Sequence, residues 1–223
     1  MKNSFFAGAL LAPLLLACAK SETAPKLLDA NGCAEVSPVP VTAHSITPGE
    51  VQQANALFAR NNIDNRRYRY AQYSREALQT YFPPYEKVDF QLVKVEEYAN
   101  GLRIFTGHLN YSFKNGVFNF LGGRPARGVA VLDAVPNLSP GQLRALFLAS
   151  IDEFDPQRSN LEEQCVSLEF GYYDLNAGTG NADENIVKAW KVTFKNKEYP
   201  YGYYQDVAGK LIRYDNGIRT FPK

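Results

Sequence analysis

The chain has 223 residues, 45% hydrophobic and 13% aromatic, and its 24 Lys and Arg against 23 Asp and Glu leave a formal charge of +1. This composition excludes wholesale disorder and offers no strongly charged surface for nucleic acid. With only His44 and His108, no zinc site of two or three histidines on one helix can be written, and no Ser or Cys nucleophile with a partner base is indicated.

Residues 1–17 carry Lys2 and then a nearly unbroken apolar run, Phe5 to Ala17, too short for a membrane span of about 20 residues and shaped like a secretory signal. An uncleaved anchor is the alternative. The sequence Leu15-Leu16-Ala17-Cys18 that closes the run resembles a bacterial lipobox. That resemblance implies acylation of Cys18 and a lipid-anchored protein of the bacterial cell envelope, periplasmic or surface-exposed, at the outer membrane. Loss of Lys2 with the signal leaves 23 basic against 23 acidic side chains, so the mature chain has no net charge to hold it on lipid, and attachment must be covalent. Cys33 and Cys165 then remain as an even pair in an oxidising compartment, where a disulfide is expected; two free thiols are the alternative.

Residues 18–45, with Pro25, Pro38 and Pro40 and little apolar periodicity, read as a lipid-anchored flexible tether. His44 within it reads as solvated. Thr47-Pro48-Gly49-Glu50 predicts a capped helix through about Asn61, burying Val51, Ala54, Leu57 and Phe58. Arg66-Arg67-Tyr68-Arg69-Tyr70 reads as a solvated strand face. Phe90 to Tyr98, Leu102 to Phe113 and Val117 to Leu121 read as strands joined by Asn100-Gly101 and Asn115-Gly116, both strong hairpin signals. His108, in one of these strands, is given no catalytic role. Ser139-Pro140-Gly141-Gln142 repeats the helix start, with Leu143, Leu146, Phe147 and Ser150 on one face. Cys165 to Leu175, Val187 to Phe194, Tyr201 to Val207 and Lys210 to Tyr214 follow as strands, and Asn176 to Asn185 as a loop. Asp174, Asp183 and Glu184 around that loop fit no defined calcium spacing. Trp190 reads as core. Tyr199, Tyr201, Tyr203 and Tyr204, with Tyr172-Tyr173 on a neighbouring strand, are the candidate partner-binding residues, and inward packing of alternate tyrosines is the competing reading.

The expected fold is α+β: two consecutive units, each a helix on an antiparallel sheet and each separate from the other. The first, residues 46–135, carries Glu97 to Gly107, Leu109 to Phe113, Lys114-Asn115-Gly116 and Leu121-Gly122-Gly123, and resembles the fungalysin/thermolysin propeptide motif. The second, 136–223, carries Leu168 to Leu175, Lys188-Ala189-Trp190-Lys191-Val192 and Tyr203 to Leu211, and resembles a PepSY domain. What the resemblance implies is cystatin-like units in a free-standing, propeptide-like lipoprotein, since His-Glu-x-x-His occurs nowhere in the sequence. It would be non-enzymatic, with no metal or cofactor of its own, and would inhibit or assist the folding of an exported thermolysin-like metalloprotease. A structural or small-ligand-binding envelope lipoprotein is the alternative. The Gln205-Asp206-Val207 sequence stands where the PepSY pattern has Val-Asp-Ala, leaving the register open there.

Overall fold

The computed structural model describes residues 33–79, 81–157, 161 and 164–218. The signal peptide and Cys18 lie outside the described residues, as does the tether before Cys33. Helix α1 (Pro48–Arg60) and helix α2 (Pro140–Phe154) both begin with a complete capping box and a proline in the first turn. The Glu50 carboxylate accepts from the Thr47 N–H at 2.8 Å, and the Gln142 amide oxygen accepts from the Ser139 N–H at 2.9 Å. In each case the cap side chain returns the bond to the third helical N–H, so donors that no helical carbonyl can reach are satisfied.

The chain runs β1 (Ala34–Val36), α1, β2 (Tyr68–Gln79), β3 (Lys87–Ala99), β4 (Leu102–Lys114), β5 (Val117–Gly122), a short 3-10 turn at Gly128–Val131, α2, β6 (Val166–Asp174), β7 (Ile186–Phe194), β8 (Tyr201–Gln205) and β9 (Leu211–Asp215). One helix followed by four strands thus occurs twice. The sequence suggested separate halves, but all nine strands of the described residues belong to one sheet ordered β2-β3-β4-β6-β7-β8-β9, with β5 on β4 and β1 on β6. The joint is narrow. β4 and β6 run parallel and share two register pairs, Arg103 with Gly171 and Ile104 with Tyr172. Gly171 is required there, because a Cβ at this position would stand 2.4 Å from the Arg103 carbonyl oxygen and 2.9 Å from the Phe105 ring.

Asn100 and Asn115 (φ 51° and 53°), each followed by a glycine of positive φ, form the two predicted hairpin turns. Between them β4 is irregular. Its span from Arg103 to His108 faces only the span from Tyr98 to Glu96 on β3. This bulge resets the two-residue alternation, so Leu102 and Ile104 face the same side as Leu109, Tyr111 and Phe113. Both helices consequently pack on one side of the sheet. Ala54, Leu57 and Phe58 of α1 join Tyr68, Tyr70, Val93, Val95, Leu109, Tyr111 and Phe113. Leu143, Phe147 and Ile151 of α2 join Val166, Leu168, Phe170, Trp190, Val192, Phe194 and Tyr204. Among the described residues the opposite face carries no helix.

Three expectations need correction. The tether ends before Ala34, because β1 pairs in parallel with β6 and Cys33 lies beside Cys165 at disulfide distance, Cα to Cα 4.4 Å, closing a sequence separation of 132. The run Arg66 to Tyr70 is not a solvated face: alternation sends Tyr68 and Tyr70 into the core, while Arg69 stands in register with Glu96. Nor is His44 solvated. Its Nδ1 accepts from the Tyr70 N–H at 3.1 Å, and its ring stacks on Tyr70 at 4.8 Å.

Burial and the nearby Arg69 hold the His44 pKa below its ordinary 6.5. The sign follows from the unfolded chain binding its proton first: stability from this contact is present above about pH 6.5 and declines as pH falls below it. The protection factor of the Tyr70 amide, its intrinsic rate divided by its observed rate, is therefore expected to fall on acidification through that range. An exchange rate that follows only the intrinsic pH dependence of a buried amide would show that His44 does not hold this edge.

Candidate functional site: the helix-free face of the sheet

Alternation places every second residue of β6, β7 and β8 on the helix-free face. There Tyr173, Tyr203, Tyr201 and Tyr199 form a continuous row of rings with neighbouring centroids 5.1, 5.5 and 5.5 Å apart, and Phe105 joins it 5.1 Å from Tyr203. The Lys191 ammonium stands 5.0 Å over the Tyr201 ring, within cation–π range. Tyr201 also donates to Asp215 at 3.0 Å. Burial and the acceptor Asp215 push its phenol up to about 12, and burial likewise raises Tyr203. Tyr201 and Tyr203 thus stay neutral hydroxyl-bearing surfaces at physiological pH.

A charged stripe crosses the β3–β4–β6 joint beside this row. Arg69 and Arg103 both hold Glu96, each at 2.6 Å, and Arg103 reaches Glu169 at 3.6 Å. The four side chains are only 10–17% exposed, so these are semi-buried ion pairs and not surface pairs of small effect. Arg69 also donates to the Ala43 carbonyl and, at 2.7 Å, to Ser45, so the stretch before α1 is drawn across this edge. The Glu169 carboxyl lies above its ordinary range through burial, with Arg103 and Lys191 opposing. Burial pulls Lys191 down in turn, with Glu169 opposing. Among the described residues the hydroxyl of Tyr98, 2% exposed, has no hydrogen-bond partner, nor do Arg103 Nε and Glu169 Oε1.

Of the four tyrosines singled out in the sequence, Tyr199, Tyr201 and Tyr203 are gathered in this row. Tyr204 is not. It points to the helix side, 1% exposed, and donates to Ser150 at 2.9 Å. Tyr172 is likewise core, whereas Tyr173 joins the row. Phe105, Arg103, Glu96 and Glu169 escaped sequence reasoning. Their period-2 spacing marks a face, but only the register across the bulge shows that the four lie beside the tyrosines.

A second feature is a cleft of about 420 Å³ where the loop after β6 folds over the β4 bulge, lined by Thr106, His108, Arg124, Asp174, Asn176 and Glu184 among others. Its acids are already engaged. Asp174 accepts from the N–H groups of Asn176 and Asn185, at 3.0 and 2.9 Å, and Glu184 from those of Arg127 and Gly128, at 3.0 and 2.7 Å. This loop is thus a clamp between the halves. Among the described residues no three His, Cys, Asp or Glu side chains are grouped to hold a metal ion, and no helix is long and apolar enough to cross a membrane. Comparison of the chain with protein families, with curated proteins and with solved structures finds no match.

Proposed function

We propose that this is a non-enzymatic binding protein of the bacterial cell envelope, held by an acylated Cys18, that docks an exported thermolysin-like metalloprotease to inhibit it or assist its folding. The observation that carries the binding role is the row Phe105–Tyr173–Tyr203–Tyr201–Tyr199 on a face without a helix. Tyrosine gives large contact area at low entropic cost and a polar tip, which suits a partner-binding surface. The protease as partner rests on the resemblance in sequence, supported by the repeated order of one helix and four strands, which we read as two cystatin-like units fused at β4 and β6.

The test is inhibition and refolding of such a protease by the purified protein, wild type against a Tyr201→Ser/Tyr203→Ser variant. Wild-type protein is expected to slow the protease or raise its refolding yield, and the variant to lose at least tenfold in apparent affinity, since central aromatic anchors contribute about 2 kcal/mol or more each. Absence of both effects in the wild type would refute the protease reading. The cleft of about 420 Å³ favours a second reading, an envelope lipoprotein that binds a small polar ligand, and a ligand-dependent rise in Tm would favour it.

A further inference from the structure

The hairpin joining β2 to β3 outruns the rest of the sheet. The last pair between β3 and β4 is Phe90 with Lys114, whereas β2 and β3 stay paired as far as Gln79 with Lys87. Three further residues on β3 carry the hairpin about 10 Å past the end of β4 at strand rise, before the connecting loop begins. The loop places Tyr81, Phe82 and Tyr85 at 93%, 82% and 64% exposure, with Leu78 below them at 48%. Three largely exposed aromatic rings within five residues are an interaction signal, because contiguous apolar patches on a protein surface mark interaction sites.

The composition of the tip says what kind of medium it suits. From Ala77 to Tyr85 the sequence carries no charge, and it is bounded by Arg75-Glu76 on one side and Glu86-Lys87 on the other. Pro83 and Pro84 have no N–H. Two of the backbone donors that a turn would otherwise have to leave unsatisfied in an apolar medium are therefore missing by chemistry. Phe supplies an apolar plunger, and the flanking tyrosines have the ring-and-hydroxyl character found where hydrocarbon meets headgroups. The collar has two basic and two acidic side chains, so it complements a zwitterionic headgroup layer, with no net attraction to anionic lipid. Arg75 is further neutralised by Asp89 at 2.9 Å.

We infer that the tip of the β2–β3 hairpin inserts into the interfacial zone of a lipid bilayer, with Phe82 deepest and Tyr81 and Tyr85 at headgroup level. The inference does not depend on a protease partner. Nor does it depend on acylation of Cys18, since β1 and the Cys33–Cys165 pair lie toward the other end of the strands. The occupant is the bilayer and not a protein groove, because the tip is charge-free within and charge-balanced around, which gives a protein partner no charge to pair with, and its turn lacks two backbone donors, which suits an apolar medium.

The test uses the full chain with phosphatidylcholine vesicles and a Phe82→Trp substitution, with the buried Trp190 as constant background. Attachment of any other part of the chain to the vesicle does not affect the readout, which is local to position 82. The expected result is a blue shift of the added emission and a several-fold loss of acrylamide quenching. Quenching by lipids brominated near the headgroup should be stronger than by lipids brominated near the bilayer centre, and all three should be unchanged at high salt. Adding Tyr81→Ser and Tyr85→Ser should reverse the shift. A residue at position 82 that stays water-exposed on vesicles overturns the inference, as does one shielded only by a protein fraction of the envelope or only by anionic lipid at low salt.

Discussion

Replacing Asp206 with Ala is expected to cost about 3–5 kcal/mol of folding stability, the range for removing one partner from a buried charged network. Asp206 is fully buried. Its carboxylate accepts from the indole N–H of Trp190 at 2.8 Å, from the N–H groups of Asn137 and Leu138 at 2.9 and 3.2 Å, and from the Asn137 side-chain amide at 2.6 Å; the Lys188 ammonium stands 3.6 Å away. Removal would leave several buried donors without their acceptor at once, while Lys188 would keep Asp133 and the Val135 carbonyl, at 3.0 and 2.7 Å. The contact ties the end of β8 to β7 and to the residue that precedes the α2 cap, so α2 should loosen with it. Burial alone would raise this acid, but the donors from Asn137, Trp190 and Leu138 outweigh it and hold its pKa below the ordinary 3.8. Stability from Asp206 is therefore present above about pH 3.8 and lost as pH falls through the lower folded value. Denaturant unfolding followed by Trp190 fluorescence measures both effects. Asp206→Asn, which keeps one acceptor oxygen, should lose less than Ala and lack this part of the acid limb. An Ala variant within about 0.5 kcal/mol of wild type, the spread of ordinary surface changes, would contradict the role assigned to Asp206.

The same residue shows what the sequence made legible. Trp190 and Asp206 could each be picked out, the first as core and the second as a motif aspartate of uncertain register, but not their bond. That bond needs the β7–β8 register, in which Trp190 faces Tyr204 and the chain turns at Asp206. Helices, caps and Asn-Gly turns were readable because each depends on neighbours within four residues. The continuous sheet was not, because the joint consists of two parallel pairs made possible by a single glycine and lying at the start of a bulge, none of which has a local signature. β2 was only partly readable for a related reason. Its inner tyrosines and the arginines at its start alternate as a solvated strand would, and only Glu96 and Glu97 opposite engage the arginines, Arg69 as a largely buried partner and Arg67 as a half-exposed one. In the candidate site, the clustering of Tyr199, Tyr201 and Tyr203 followed from spacing, while Tyr204 in the core follows from the same alternation taken one residue on.

That joint carries the second large prediction. Arg103 touches carboxylates from both halves, Glu96 on β3 and Glu169 on β6. Met fills similar space without charge, so Arg103→Met should separate the electrostatic role from packing, at an expected cost of about 3–5 kcal/mol near neutral pH. Glu96 keeps Arg69 in the variant, whereas Glu169 is left with Lys191 as its main opposing charge. The pH dependence then has a definite sign. The Glu169 carboxyl, raised by burial above its ordinary 4.5, contributes stability that is full below about pH 4.5 and is lost as pH rises through the folded value. Removing Arg103 raises that folded value further. The deficit of Arg103→Met should accordingly shrink as the pH is lowered from 7 toward 4.5, and Arg103→Met/Glu169→Gln should recover part of it at neutral pH, a coupling visible in a double-mutant cycle. A deficit that is independent of pH and unaffected by Glu169→Gln would mean that Arg103 acts through packing of its stem alone. Native-state amide exchange adds the spatial half of the argument: weakening Arg103 should deprotect Ile104 and Tyr172 at the joint before β3 or β7, because two register pairs are all the backbone pairing that β4 and β6 share.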